Sequence, residues 1–130
     1  DRPATRALAF LTDAHNLASW ALTRGAVEIL RSDLVKGVAT GDGSDVYVRI
    51  HNPQASNAVY YHVGSNPDDL APRIVVQVMA GEYLDGGADT CVVSMLAWRS
   101  AAWNDTRWQA LVDAHEAEIL QLKDLIEASV

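Results

Sequence analysis

The sequence predicts an α+β fold in which a curved antiparallel sheet closes over a long C-terminal helix. Three observations predict this fold. Two short helical patterns stand near the N-terminus, six later segments have apolar residues that alternate with period two, and the final stretch has apolar residues at helical spacing. A chain of 130 residues has room for one domain, residues 1–130, and not for a second.

The first quarter of the chain predicts two short helices. Pro3 suits the first position of a helix, and apolar residues then recur at helical spacing as far as Asp13. Asp13 or Asn16 can cap a second helix, which carries Trp20 and is followed by Gly25.

From Ala26 onward the spacing of apolar residues changes to two, which predicts strands joined by turns rich in Gly, Asn, Asp and Ser. The strands follow one another as an antiparallel meander. After the first, they are predicted over 35–39, 46–51, 59–63, 74–79 and 90–98.

The last quarter of the chain predicts one long amphipathic helix. Asn104 or Asp105 can cap it, and it runs to about Glu127, roughly 36 Å at 1.5 Å per residue. One side of this helix carries an apolar stripe that should face the sheet. The stripe consists of Trp108, Val112, His115, Ile119, Leu122 and Ile126.

Three segments of the chain carry a family resemblance: FLTDAHNLASWA at 10–21, YHVG at 61–64 with Pro67 beyond it, and the closing helix. Together they resemble the START/Bet v 1-like (SRPBCC) superfamily, in particular its small bacterial polyketide cyclase/dehydrase-like members. The resemblance implies a helix-grip fold with a pocket between the sheet and the C-terminal helix. It also implies a small, largely apolar ligand that is lipid-like or polyketide-like.

The chain departs from that family at its start. Family members begin with a strand that pairs with the last strand, whereas here Asp1 stands almost directly inside the first helix. Without that strand, the apolar segment 90–98 would be an unpaired sheet edge, which proteins normally avoid. We expect residues upstream of Asp1 or a neighbouring protomer to supply the pairing, so a homodimer is one possible state.

Side-chain alternation sorts the third and fourth predicted strands into an apolar face and a polar face. A six-residue connection over 52–57 would place Arg49 opposite Tyr60 and Tyr47 opposite His62. The apolar face should turn toward the long helix, although an inverted sheet would exchange the two faces. The predicted ligand-binding residues are Trp20, Ile50, Tyr61, Val76, Met95, Val112, His115 and Ile119.

Four residues are candidates for acid/base chemistry. His115 lies within the apolar stripe, where it would be a general acid/base or simply a buried histidine satisfied by one neighbour. His62 could move a proton while Arg49 or Tyr60 holds an oxyanion. The alternative is that Arg49, His51 and His62 simply lie on the solvent-facing side of the sheet. Trp20 either stacks on a ligand or packs in the core.

Composition argues against several classes of partner. Seventeen Asp and Glu against ten Lys and Arg give a net charge of −7, which disfavours nucleic acid and anionic membranes. No apolar run approaches the roughly 20 residues of a membrane span. Cys91 is the single cysteine, so we expect a reducing, cytoplasmic location. Motif spacing predicts no metal, no nucleotide and no other cofactor.

Three functions remain. The first is a binding module for a small apolar ligand. The second is an enzyme of the polyketide cyclase/dehydratase type, without metal or nucleotide, that uses acid/base side chains in the pocket. The third is a chaperone-cofactor-like interaction domain, and its sign would be an apolar patch on the outer sheet face. That patch would contain Val75, Met79, Val92, Leu96 and Trp98.

Overall fold

The computed structural model describes residues 2–20, 23–39 and 43–129. Its elements follow the predicted order of two short helices, a six-stranded sheet and a long final helix. They are α1 (Ala4–Thr12), α2 (Ala14–Trp20), β1 (Thr23–Arg31), β2 (Leu34–Ala39), β3 (Asp45–His51), β4 (Ala58–Gly64), β5 (Ala71–Ala80), β6 (Cys91–Ala97) and α3 (Asp105–Ala128), with short 3₁₀ turns at Pro53–Ala55 and Gly81–Leu84.

The six strands form one curved antiparallel sheet in the order β1-β2-β3-β4-β5-β6, so every strand pairs with its neighbour in sequence. This arrangement and α3 confirm the predicted α+β helix-grip class. In the part of the chain that the structure describes, β1 and β6 are the two edges of the sheet.

Side-chain caps fix where α2 and α3 begin. The Asp13 carboxylate accepts a hydrogen bond from the backbone N–H of His15 at 3.0 Å, immediately before α2. The Asn104 side chain accepts one from the N–H of Arg107 at 2.8 Å. Each bond satisfies a donor that the first helical turn leaves free. Of the alternatives predicted from the sequence, Asp13 and Asn104 are therefore the caps.

The start of β1 differs from the prediction. The strand begins at Thr23 rather than Ala26, and Gly25 lies inside it instead of beyond the end of a helix. Pairing with β2 is irregular between Arg24 and Glu28, as expected where a glycine marks a bulge. The Gly-Asp-Gly-Ser segment at 41–44, which the sequence predicts as one of the turns, lies partly outside the described residues.

The predicted register between β3 and β4 is wrong by two residues. Arg49 lies opposite His62, and His51 lies opposite Tyr60. The turn is displaced toward β4 because the Asn52 amide donates to the carbonyls of Ser56 and Ala58, at 2.7 and 2.8 Å. A shift of two residues leaves every side chain on its predicted face, so the division into faces is unaffected.

The core lies between the concave side of the sheet and the three helices. Tyr61 connects them: its hydroxyl donates to the carbonyl of Leu11 in α1 at 2.8 Å, and its ring meets Trp20 of α2 edge-on at 5.4 Å. Leu122 and Ile126 bring the C-terminal half of α3 into the same cluster. No helix within the described ranges is long and apolar enough to cross a membrane.

Candidate functional site

The concave face of the sheet is apolar from β3 to β6. Its side chains meet as cross-strand neighbours, so strand pairing alone places them on one surface. The pairs are Val48 with Val63, Ile50 with Tyr61, Tyr61 with Ile74, and Val76 with Met95. The predicted lining residues of these strands therefore share one face, and the Tyr61 hydroxyl is the polar group among them.

Burial on this face falls along β3, β4 and β5. Val59, Val76 and Val78 are fully buried, whereas Val48, Val63 and Ile74, toward the other end of these strands, are only partly buried. Ligand pockets are concave and lined mostly by apolar side chains, so this partly buried apolar surface is a candidate pocket wall.

The long helix shows the same gradient. Leu122 and Ile126 are buried, and Ile119 packs against the core, but Val112 and His115 are only partly buried. Helical spacing directs residues 112 and 115 to the same side as 119 and 122. We use the term concave groove for these partly buried residues together: Val48, Val63, Ile74 and Met95 of the sheet, with Val112 and His115 of α3.

The remaining predicted ligand-binding residues lie deeper. Ile50, Tyr61 and Val76 lie on the same sheet face and are buried in the core. Trp20 is 4% exposed and packs on Tyr61 from α2, so it presents no open ring to a ligand. Burial raises the pKa of Tyr61, which keeps its hydroxyl protonated and donating to Leu11.

His115 is the titratable predicted residue on the side of α3 that carries Ile119 and Leu122. Burial lowers its pKa, because removing water disfavours the imidazolium form. The imidazole is therefore neutral near pH 7, the state in which it accepts a proton.

Glu118, one turn further along α3, is buried and was not predicted. Charged residues of an amphipathic helix are expected on its solvent side, so the burial of Glu118 was not predicted from the sequence. The spacing held a signal, since Glu118 lies three residues after His115 and four before Leu122 in the stripe.

Arg49 and His62 lie on the convex face, as the alternative interpretation expected, and Tyr60 lies on the same face. An Arg49 Nη lies 3.5 Å from His62 Nδ1, and the His51 ring lies 6.0 Å from that of His62 and 6.5 Å from that of Tyr60. Burial, then Arg49 and His51, lower the pKa of His62. Because the sheet separates this cluster from His115, the four residues cannot act together on one bound substrate.

The convex face also carries the apolar residues predicted to fall together. Val75 pairs with Leu96 and Met79 with Val92, which places them on the convex side. Leu96 is 46% and Val92 48% exposed, while Val75 is buried between its neighbours. We call Val75, Met79, Val92, Leu96 and Trp98 the convex patch.

A separate groove of about 430 Å³ lies between α1, α2 and the end of α3. Pro3, Arg6, Phe10 and Asn16 contribute to its walls. Arg6 also donates to the carbonyl of Ser129 at 3.3 Å, so α1 and the end of α3 meet at this groove. No predicted site residue lines it.

Within residues 2–20, 23–39 and 43–129, no three His, Cys, Asp or Glu side chains come together in a way that could hold a metal ion. No protein-family model matches the chain, and no curated protein matches it.

Proposed function

We propose that this protein binds a small, largely apolar molecule in the concave groove, as the resemblance to the START/Bet v 1-like superfamily implies. The observation that supports this is the burial gradient: Leu122 and Ile126 are buried at one end of the core, whereas Val63, Ile74 and Val112 are only partly buried. Open apolar surface between preformed elements suits a lipid-like or polyketide-like ligand. We place this activity in the cytoplasm, where a single free cysteine such as Cys91 is expected.

Replacing Val112 with tryptophan tests the groove. The indole would fill the space between α3 and the sheet, so we expect the dissociation constant of the neutral dye N-phenyl-1-naphthylamine to rise by about tenfold or more. Fluorescence titration measures it. Ala110→Trp adds the same ring at an exposed position of α3 and should leave the affinity unchanged. If both variants bind the dye as tightly as the wild type, the ligand does not bind in the concave groove.

The enzyme alternative, a cyclase or dehydratase, depends on His115. A neutral imidazole in an apolar groove can act as a general base, since its proton-accepting form dominates near neutral pH. With a polyketide-type substrate, His115→Ala should lower kcat by about 10²–10⁴-fold. In the wild type, kcat/KM should rise with pH, and the midpoint of the rise should lie below the ordinary histidine pKa of about 6.5, because burial lowers the pKa of His115. Full activity in His115→Ala would remove this residue from any mechanism.

A second candidate function is protein interaction through the convex face. It is favoured by the concentration of exposed apolar side chains on the β5–β6 hairpin: Met79, Tyr83, Leu84, Val92, Leu96 and Trp98 are each at least 37% exposed. Contiguous exposed apolar surface of this kind often marks a binding surface.

We also propose that two copies of this 130-residue chain associate through β6. The N–H of Gly81 donates to the carbonyl of Thr90 and that of Trp98 to the carbonyl of Arg73, at the two ends of the β5–β6 ladder. In an antiparallel ladder these bonds alternate, so the odd-numbered residues of β6 direct their backbone groups outward. A second β6 could pair antiparallel about Ser94 with no charged residue in the contact, because 90–98 carries none.

A further inference from the structure

Arg49 is a partly buried cation that has no carboxylate partner among the described residues. Its hydrogen bond goes to the neutral acceptor Nδ1 of His62 at 3.5 Å. Lys36, on the neighbouring strand, does have an acidic partner, Asp45 at 3.8 Å. A guanidinium carries five N–H donors in a fixed plane, so most of those on Arg49 are available to an external acceptor.

Other donors surround this guanidinium. Because His62 Nδ1 faces Arg49, the neutral imidazole carries its proton on Nε2, which can donate elsewhere. The His51 ring stands 6.0 Å from His62, and the Tyr60 ring 6.5 Å from His51. The convex face thus gathers one guanidinium, two imidazoles and a phenol in a chain whose net charge is −7.

The donors lie next to the convex patch. His51 pairs with Tyr60, Tyr60 with Val75, and Val75 with Leu96, which makes one unbroken row across four strands. Neighbouring side chains in such a row are about 5 Å apart, and Arg49 and His62 form the adjacent row. A single bound segment can therefore touch the donors and the apolar patch at once.

We propose that the convex face binds a protein segment in which a carboxylate stands beside apolar side chains. The carboxylate lies on Arg49 and accepts hydrogen bonds from His62 and Tyr60, while the apolar side chains cover Leu96, which is exposed in the same row. A planar carboxylate matches the fork of a guanidinium and forms two parallel bonds with it. This inference rests on the interaction function given as the second candidate above, and it specifies the chemistry of the partner.

The test uses a twelve-residue peptide of alternating Asp and Leu, titrated into the full chain by isothermal calorimetry. Arg49→Gln should weaken binding by about tenfold or more, the share expected of a charged hydrogen-bonded pair. Arg31→Gln makes the same change in net charge at an exposed arginine that pairs with Asp33, and should alter the affinity by less than about twofold. Leu96→Ser should weaken binding independently of Arg49.

The outcomes separate the two claims. If the wild type does not bind the Asp-Leu peptide, the inference fails. If binding needs Leu96 but not Arg49, or if a Lys-Leu peptide binds as well, the interaction function stands and the carboxylate inference is wrong. Should Arg49→Gln fail to fold, His62→Asp replaces it, because an aspartate there would occupy the guanidinium and should reduce peptide affinity as strongly.

Discussion

Replacing Leu122 with alanine should lower the free energy of unfolding by about 3–5 kcal/mol. Leu122 is 0% exposed and lies where the C-terminal half of α3 meets the core around Tyr61 and Val76. The substitution removes buried methyl groups and leaves a cavity that helices held on several sides cannot close fully. Chemical denaturation followed by circular dichroism measures the change.

Leu120 provides a matched control two residues away on the same helix. It is 66% exposed, so Leu120→Ala should change stability by no more than about 0.5 kcal/mol. Ile119→Ala should fall between the two, because Ile119 packs against the core but is only partly buried. A loss below about 1 kcal/mol for Leu122→Ala would mean that α3 is not packed as described.

Proline substitutions in β6 should separate sheet stability from self-association. Val93 directs its N–H outward, so Val93→Pro should abolish association of the 130-residue chain and leave the β5–β6 ladder intact. Val92 directs its N–H toward β5, opposite Met79. Val92→Pro therefore removes a ladder hydrogen bond and should destabilise the fold by about 1–3 kcal/mol more than Val93→Pro does.

Analytical ultracentrifugation over a range of concentrations provides the association measurement. The wild type should form a dimer or larger species that Val93→Pro does not form. Val92→Pro should behave like the wild type under conditions in which it is folded. A wild-type chain that stays monomeric at every concentration would contradict association through β6. Equal association of Val93→Pro and the wild type would place the contact on another surface.

Much of the fold follows from local chemistry that the sequence displays openly. The segments in which apolar residues alternate with period two predict strands. Asn104 stands directly before an apolar stripe at helical spacing, which is the pattern of a capped helix start. The division of β3 and β4 into an apolar and a polar face depended only on side-chain alternation. The predicted faces are therefore correct even though the predicted register is wrong by two residues.

Other features depend on tertiary contacts and could not be predicted in this way. The register error arose from a side-chain amide, that of Asn52, which bonds within the turn. Trp20 was a candidate for stacking on a ligand until the packing of α2 against Tyr61 was known. Val112 in the open half of the helix stripe and Leu122 in the closed half are both aliphatic, so residue type does not distinguish them.

The direct succession of strands has a consequence for how the chain folds. Each strand pairs with the next one along the sequence, so the sheet can form through a series of short loops, each with a small entropic cost of closure. Contacts between the two ends of the chain are of another kind. Arg6 with Ser129 and Gln121 with Ser19 close loops of more than 100 residues. Once the sheet has formed, most of the residues between these partners are already ordered. The entropic cost of bringing α1 and α2 against α3 is then much smaller than that of closing a flexible loop of more than 100 residues.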